Sequence, residues 1–342
     1  MNGEAPICID SFEVRPMKKA MAGSVILGML LLILDSGTAL QGASEGIRLC
    51  LCSVIPALLP FWVLSSLLTR LLWGTGGRGS RLLGRLFSIP AGAESLLIPA
   101  FLGGYPAGAG CIGAAYREGR LGKEDAQRLL GYCSNVGPAF LFGIGAPQLK
   151  FFWAGWYLWL LQILGAWTAS RLLPGKPETT AAVGNSSRGD LLGEAAAAMG
   201  KICVSVILVR VLLEFLEGIL PGNPLLKTVV GGLLELTNGC CTLGTLTPEW
   251  RLPVAAGLMS LGGLCVGLQT FSVTKGLNLT YYAWGKGIAC LVSVAGAVCP
   301  WSLTGILLLP FLKKWVAFFR KPVYNGRNQS NGRTLCLSLI HI

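Results

Sequence analysis

The chain has 342 residues, of which 53% are hydrophobic and only 13% are charged, and its mean hydropathy is +0.62. Globular proteins carry roughly 25% charged residues, so this composition excludes an ordinary soluble protein. The net charge of +12 does not indicate nucleic-acid binding, because the basic residues lie between apolar runs and are not interleaved with aromatic residues on a polar face. We therefore expect an all-α, polytopic membrane protein.

The twelve cysteines lie mostly within apolar or glycine-rich segments, and none are spaced as CxxC. His341 is the only histidine, so a zinc site and a histidine-dependent catalytic triad both lack their parts. We interpret the cysteines as small buried hydrophobic residues. We expect no cofactor, no metal and no enzymatic activity.

The first apolar run covers residues 20–34 and follows Arg15, Lys18 and Lys19. A cleaved signal peptide has a similar pattern. Because the rest of the chain is itself membranous, we favour a retained transmembrane helix within an N-terminal segment at 1–44. Met17 is an alternative start, since Met-Lys-Lys before an apolar run is common at N-termini.

A first repeat is predicted at residues 45–173. It begins with a helix at 46–73 that Pro56 and Pro60 interrupt, as membrane helices tolerate. Glycine and proline then break the pattern twice before a clean span follows. The three predicted elements are a re-entrant hairpin at 93–117, a span at 123–145 broken at 134–138, and an uninterrupted span at 149–172.

A polar linker at 174–190 divides the chain, and the same order of elements recurs in a second repeat at 191–300. Its predicted elements are a helix at 191–220, a broken segment at 225–246, an interrupted span at 252–272 and a span at 278–298. We expect a closing helix at 301–321 and a disordered, partly non-native basic tail at 322–342.

Charge placement predicts how the two repeats are oriented. If the N-terminus is cytoplasmic and both hairpins return to their own side, most Lys and Arg residues fall on the cytoplasmic side, as the positive-inside rule requires. The chain then crosses the membrane three times between corresponding points of the two halves. An odd number of crossings makes the second repeat inverted.

Many secondary transporters bind their substrates at the ends of helices that stop inside the membrane. Such a helix end leaves backbone groups without partners, and its N-terminal end attracts an anion or a polar solute. The alternative is that the glycines only permit close helix packing. The candidate substrate-binding residues are Gly103, Gly104, Tyr105, Pro106, Gly108, Ser134, Asn135, Gly137 and Pro138 in the first half, and Glu235, Thr237, Asn238, Gly239, Ser260, Gly262, Gly263, Gln269 and Lys286 in the second.

Glu235 is the sharpest single candidate, because an ionisable group at membrane depth is costly unless it is paired, hydrated or protonated. It would couple transport to a proton or another cation, unless it is an interfacial residue that faces water. Lys286 has three interpretations: the counter-charge of Glu235, a partner for an anion, or a snorkelling lysine. Asp35 and Glu94 lie near segment ends, where we expect them to be solvated.

A long segment of the first half, FLGGYPAGAGCIGAAYREGRLGKEDAQRLLGYCSNVGPAFLFGIG at 101–145, resembles the signature of YlbJ-type sporulation integral membrane proteins of the nucleoside-recognition (Gate) domain family. VIPALLPFWVLSSLL upstream, and ELTNG and SLGGLCVGLQTF downstream, are also similar to that family. The resemblance covers roughly residues 49–294. The C-terminal TLCLSLIHI departs from it and looks like translated adapter sequence, so we expect the authentic chain to end earlier.

This resemblance implies a multi-pass protein of an endospore-forming bacterium, in the outer forespore membrane or the cell membrane, that moves dipicolinic acid during sporulation. It also implies kinship with concentrative nucleoside carriers, whose hairpins and broken helices form the substrate site. We therefore expect a transporter of a small polar or anionic solute. A nucleoside transporter and a non-transporting scaffold for spore assembly are the alternatives. The expected partners are the lipid bilayer, a small carboxylate or nucleoside, a coupling proton or cation and a second copy of the chain, but no nucleic acid.

Overall fold

A computed structural model describes residues 14–75, 77–150, 153–175, 191–217 and 222–298. Every regular element in these ranges is helical, so the all-α class is confirmed for the described part of the chain. Four predicted segments lie outside it: residues 1–13, the linker from 176 to 190, the closing helix at 301–321 and the tail at 322–342.

Fifteen helices follow one another in the described ranges. Before the linker these are α1 (Val14–Leu34), α2 (Ser36–Leu49), α3 (Ile55–Leu72), α4 (Arg78–Leu86), α5 (Ala107–Arg117), α6 (Lys123–Leu130), α7 (Pro138–Phe140), α8 (Ala146–Leu149) and α9 (Ala154–Leu172). After it come α10 (Leu191–Glu217), α11 (Pro224–Leu234), α12 (Leu236–Thr242), α13 (Pro248–Leu261), α14 (Gly263–Val273) and α15 (Thr280–Val298). Wider π turns occupy Cys50–Val54, Pro99–Gly103 and Leu141–Gly145.

Within the described residues, three helical stretches are long and apolar enough to cross a membrane: Ser36–Leu72, Leu191–Leu216 and Pro248–Val273. Helix α1 is also apolar, and its large side chains between Val25 and Leu34 are exposed on the surface. A soluble monomer rarely exposes apolar patches of this extent. Since lipid solvates such side chains without penalty, the surface supports a membrane protein.

Helix α2 packs lengthwise against α10, and glycines bring the two backbones together. A Cβ atom at Gly42 would lie 2.8 Å from Val211 Cα, and one at Gly46 would lie 2.8 Å from Ile207 Cα. Small residues at a helix interface permit this closeness, which favours van der Waals packing in a membrane. Gly42 and Gly46 therefore have a packing role.

The short helices lie inside a frame of longer ones. Helix α15 packs against both α9 and α13, while α11 and α12 form a hairpin whose two arms are in contact. One buried cluster includes Trp62, Tyr105 and Met259, and a second includes Ile112 and Tyr132. The short helices of the first cluster therefore lie mostly against other helices.

Two predicted spans differ from the observed ones. Pro60 lies inside continuous helix, and the predicted interruption is instead the π turn at Cys50–Val54. A wider turn directly before Pro56 relieves the clash between the proline ring and the carbonyl group four residues earlier. The span expected to begin at Leu149 begins at Ala154, because Lys150 adopts a left-handed conformation (φ 58°) that ends α8.

Two expectations about burial are also corrected. Glu94 is buried rather than solvated, since its carboxylate accepts a hydrogen bond from the Gly92 N–H (2.9 Å) and so replaces the lost hydration. Among the nine described cysteines, Cys52 and Cys241 are exposed rather than buried. All nine are free thiols.

An alanine substitution at Gly46 tests the contact between α2 and α10. Within a helix, glycine to alanine normally stabilises by about 0.5–1 kcal/mol, but here the new methyl group would meet the backbone of Ile207. We expect Gly46→Ala to lower the unfolding temperature, measured by circular dichroism in detergent. The control is Gly200→Ala in α10, where nothing lies within 4 Å, and it should leave that temperature unchanged or raise it. Equal stability of the two variants would contradict this packing.

Candidate substrate-binding site

The first helix break lies between the π turn at Pro99–Gly103 and α5. Gly104 has a φ of 75°, a conformation that residues with a Cβ rarely adopt. Gly103 lies against Ser65 of α3, and a Cβ atom there would be 2.6 Å from the serine Oγ. Gly108, in the first turn of α5, faces the Cys133 carbonyl with no room for a side chain. The break is therefore held between α3 and the chain that follows α6.

The second break runs from residue 131 to 137, between the end of α6 and Pro138 at the start of α7. Ser134 and Asn135 are both buried within it, and the Asn135 amide donates to the Tyr132 carbonyl (2.8 Å). A Cβ atom at Gly137 would lie 2.8 Å from the Gly104 nitrogen. The two breaks of the first half are thus in backbone contact.

Glu235 forms the break between α11 and α12. Its carboxylate accepts hydrogen bonds from the Asn238 N–H and the Thr237 hydroxyl, both at 2.9 Å. The side chain is 5% exposed, so Glu235 is not an interfacial residue facing water in this structure. Glu235 is the N-cap residue of α12, and a carboxylate at this position interacts favourably with the helix N-terminus.

The last break is a sharp bend between α13 and α14, where Gly262 (φ 80°) and Gly263 (φ 75°) follow each other. A Cβ atom at Gly263 would lie 2.7 Å from the Gly232 carbonyl oxygen of α11. A Cβ atom at Gly239 of α12 would collide with the Gly232 backbone, and one at Gly232 would collide with the Leu258 side chain. The bend of the second half is therefore in backbone contact with the last turn of α11, directly before the break at Glu235.

Tyr105 joins the two halves. Its ring lies against Gly262, where a Cβ atom would be 3.1 Å from Tyr105 Cζ. Its hydroxyl lies 3.2 Å from the Met259 carbonyl oxygen and 3.3 Å from that of Ser260. These carbonyls belong to the last turn of α13, where the helix itself supplies no N–H partner. The first half thus satisfies a helix end in the second.

Lys286 of α15 completes this contact. Its Nζ donates to the Tyr105 hydroxyl oxygen (2.6 Å) and to the Ser134 carbonyl oxygen, and it lies 4.6 Å from the centre of the Tyr105 ring. With 4% exposure the side chain does not snorkel. Within the described part of the chain it forms no ion pair with Glu235, so the counter-charge interpretation is not what the structure shows. Lys286 instead connects both breaks of the first half to α15.

Ser260 belongs to a separate row of polar side chains. Its hydroxyl accepts from the Gln162 amide (2.8 Å) and donates to the Ser293 hydroxyl (2.8 Å). This row connects α9, α13 and α15, and its three members are buried. Sequence reasoning missed Gln162 and Ser293, although Gln162 is a lone amide in the apolar run LWLLQILGAW, which is the signal that would have found it.

A cavity of about 30 Å³ lies where the breaks of the two halves approach each other. The predicted residues that line it are Tyr105, Gly137, Glu235, Thr237 and Gln269. This volume accommodates about one water molecule. Ser134 and Asn238 do not line the cavity, but Ser134 Oγ and Asn238 Nδ2 are buried polar atoms without a hydrogen-bond partner among the described residues. The structure therefore brings five of the predicted residues, from both halves, to one small space.

No protein-family model, no curated protein and no solved structure matches this chain. The site is therefore defined by its own geometry alone. Among the described residues, no group of three or more His, Cys, Asp or Glu side chains is arranged to hold a metal ion.

A double-mutant cycle tests the contact between Tyr105 and Lys286. Tyr105→Phe removes the hydroxyl and Lys286→Met removes the charge, and we expect each to lower the free energy of unfolding by about 1–3 kcal/mol. The double variant should lose less than the sum, because both changes break one network. Denaturant unfolding in detergent measures the four free energies. The control is Tyr116→Phe, at a tyrosine whose hydroxyl does not contact Lys286. Its effect on the free energy of unfolding should simply add to the effect of Lys286→Met. Additive effects for Tyr105 would rule out the coupling.

Proposed function

We propose that this protein is a multi-pass membrane transporter for a small polar or anionic solute, and that it is not an enzyme. The observation that carries the proposal is the meeting of helix breaks from both halves around one cavity, with Tyr105 seated on the bend at Gly262. Broken helices whose ends meet at membrane depth form the substrate sites of many secondary transporters.

The two halves are inverted repeats in this proposal, with residues 93–117 and the α11–α12 pair as re-entrant hairpins. The parallel between their internal contacts supports it. In the first half the hairpin touches the following break through Gly104 and Gly137, and in the second half through Gly232 and Gly263. The same local contact recurring at corresponding places is what a duplicated unit predicts.

The distribution of charge supports the proposed orientation. Arg70, Arg117, Arg120, Lys201 and Lys275 come from four separate stretches of the chain and line one common cavity. Since Lys and Arg accumulate on the cytoplasmic side, this cavity opens to the cytoplasm in the proposed topology. The structure then corresponds to a closed state at the breaks, because a space for one water does not admit a solute.

The buried charges support a transport role over a purely structural one. Glu235 and Lys286 are each at most 5% exposed, and ionisable side chains within membrane segments are rare and usually functional. Glu235 lines the cavity and is the proposed coupling group for a proton or another cation. Lys286 is the proposed partner of the substrate anion, since it already bonds to Tyr105 at the edge of that cavity.

Dipicolinic acid is the first candidate substrate, because of the resemblance of 101–145 to YlbJ-type proteins, and the outer forespore membrane is the corresponding location. A nucleoside is the second candidate. Uptake of labelled dipicolinate into proteoliposomes, with uridine as competitor, separates the two. Flux of neither solute through the parent protein would leave the scaffold for spore assembly as the better hypothesis.

Alanine at Gly104 tests the site. The change forces a side chain into a left-handed conformation and places a methyl group 2.9 Å from the Gly137 nitrogen. We expect uptake to fall more than tenfold. Gly119→Ala is the control, because Gly119 also has a positive φ of 69° while nothing lies within 4 Å of the added Cβ atom, and it should retain uptake. Equal activity of the two variants at equal protein levels would remove the proposed site.

A glutamine at Glu235 tests the coupling. The amide oxygen keeps an acceptor for the Asn238 N–H, but the side chain no longer exchanges a proton or attracts a cation. We expect Glu235→Gln to lose accumulation driven by a pH or sodium gradient while it retains exchange of solute between two equal pools. Counterflow and gradient-driven uptake in the same vesicles measure the difference. Normal accumulation by this variant would exclude Glu235 as the coupling group.

A further inference from the structure

A second cavity, of about 440 Å³, lies along the helices that line the small one. On each of three helices, the residue that lines the small cavity and the residue that lines the large one are a single turn apart. The pairs are Leu58 and Trp62 on α3, Ile202 and Ala198 on α10, and Gln269 and Val273 on α14. We call this larger space the basic cavity, for the side chains described next.

Five cationic side chains and two carboxylates line the basic cavity, an excess of three positive charges. Both carboxylates are already paired. Glu194 accepts a hydrogen bond from Arg70 (2.6 Å), and Glu118 accepts one from Arg120 Nε (2.6 Å). Arg120 also stacks over the ring of Trp73, with its guanidinium 4.1 Å from the ring centre. These paired side chains form part of the cavity wall, and the excess positive charge lies on the other three cations.

That excess is carried by Arg117, Lys201 and Lys275. Arg117 donates to the Val273 carbonyl oxygen (2.8 Å), which orients the guanidinium but does not neutralise it. Lys201 and Lys275 are exposed to the cavity, and among the described residues neither forms an ion pair. The three cations come from α5, from α10 and from the loop after α14, so the fold gathers charges that are far apart in sequence.

The position of Lys201 differs from that of basic residues that water ordinarily solvates at a helix end. It lies ten residues into the apolar span Leu191–Leu216, where a lysine is costly unless it faces water or a counter-charge. A cleft with low-dielectric walls focuses the field of its charges and concentrates ions of the opposite sign. Three cations without an ion-pair partner among the described residues therefore make this cleft attractive to an anion.

We propose that the basic cavity binds a small organic anion with two or more negative charges. Three cations from three directions suit two separated anionic groups better than one. The volume falls in the range of about 300–1,000 Å³ typical of small-molecule sites, and Trp62 and Trp73 supply the apolar wall that an organic body requires. The site is separate from the one at the helix breaks, and only its role in delivering solute to them rests on the proposed carrier function.

Binding of phthalate and benzoate tests this site. The two probes share a ring and differ by one carboxylate, and calorimetry on the purified full chain in zwitterionic nanodiscs measures both. We expect saturable phthalate binding, with benzoate at least tenfold weaker. Lys201→Gln combined with Lys275→Gln should weaken phthalate at least tenfold. The control pair, Lys123→Gln with Lys150→Gln, removes two exposed lysines outside the cavity and should change the affinity less than twofold.

Three results would overturn the proposal: no saturable binding of phthalate, the same phthalate affinity after loss of Lys201 and Lys275, or inorganic phosphate binding as tightly as phthalate. Lys286→Met separates this site from the carrier. Lys286 does not line the basic cavity, so that variant should bind phthalate normally while losing uptake. If the parent protein binds phthalate but takes up neither dipicolinate nor uridine, only the proposed carrier function is refuted. If it takes up solute but does not bind phthalate, only the proposed anion site in the basic cavity is refuted.

Discussion

The structure depends on one constraint, which is that every polar group left by a broken helix must find a partner where no bulk water is present. In hydrocarbon an unsatisfied backbone group costs several kcal/mol, so irregular backbone survives only where protein or a polar cavity surrounds it. Here the carbonyls at the end of α13 are met by the Tyr105 hydroxyl, and the Ser134 carbonyl is met by Lys286. The partners come from distant parts of the chain, which ties the two halves together.

Glycine recurs at the breaks because the backbones there approach each other closely. The pairs Gly104 with Gly137 and Gly232 with Gly263 leave no room for a side chain between them. Gly137 packs against Gly104 and also lines the cavity that Tyr105, Glu235 and Gln269 share. Close packing and a site at the breaks are therefore compatible interpretations of these glycines.

In the proposed carrier, the two cavities have different roles. The basic cavity is large and positively charged, whereas the space at the breaks is small and carries both a carboxylate and polar uncharged groups. Tyr105 lines the second cavity but not the first. Since Lys286 bonds to Tyr105, an anion that binds this lysine would compete with the bond that keeps the site closed. This competition gives solute binding a direct route to opening.

The sequence by itself determined the apolar environment of the helices and the positions of the helix breaks. Apolar composition and run length predicted membrane helices, and clustered glycine and proline predicted the interruptions at Gly104, at 134–138 and at Gly262, because these residues act through local backbone geometry. Only the tertiary structure decided what the breaks contact. The bonds of Lys286, the row from Gln162 to Ser293 and the gathering of Lys201 with Lys275 join residues far apart in sequence. Such contacts depend on which helices pack together, and the pattern of one helix does not specify its neighbours.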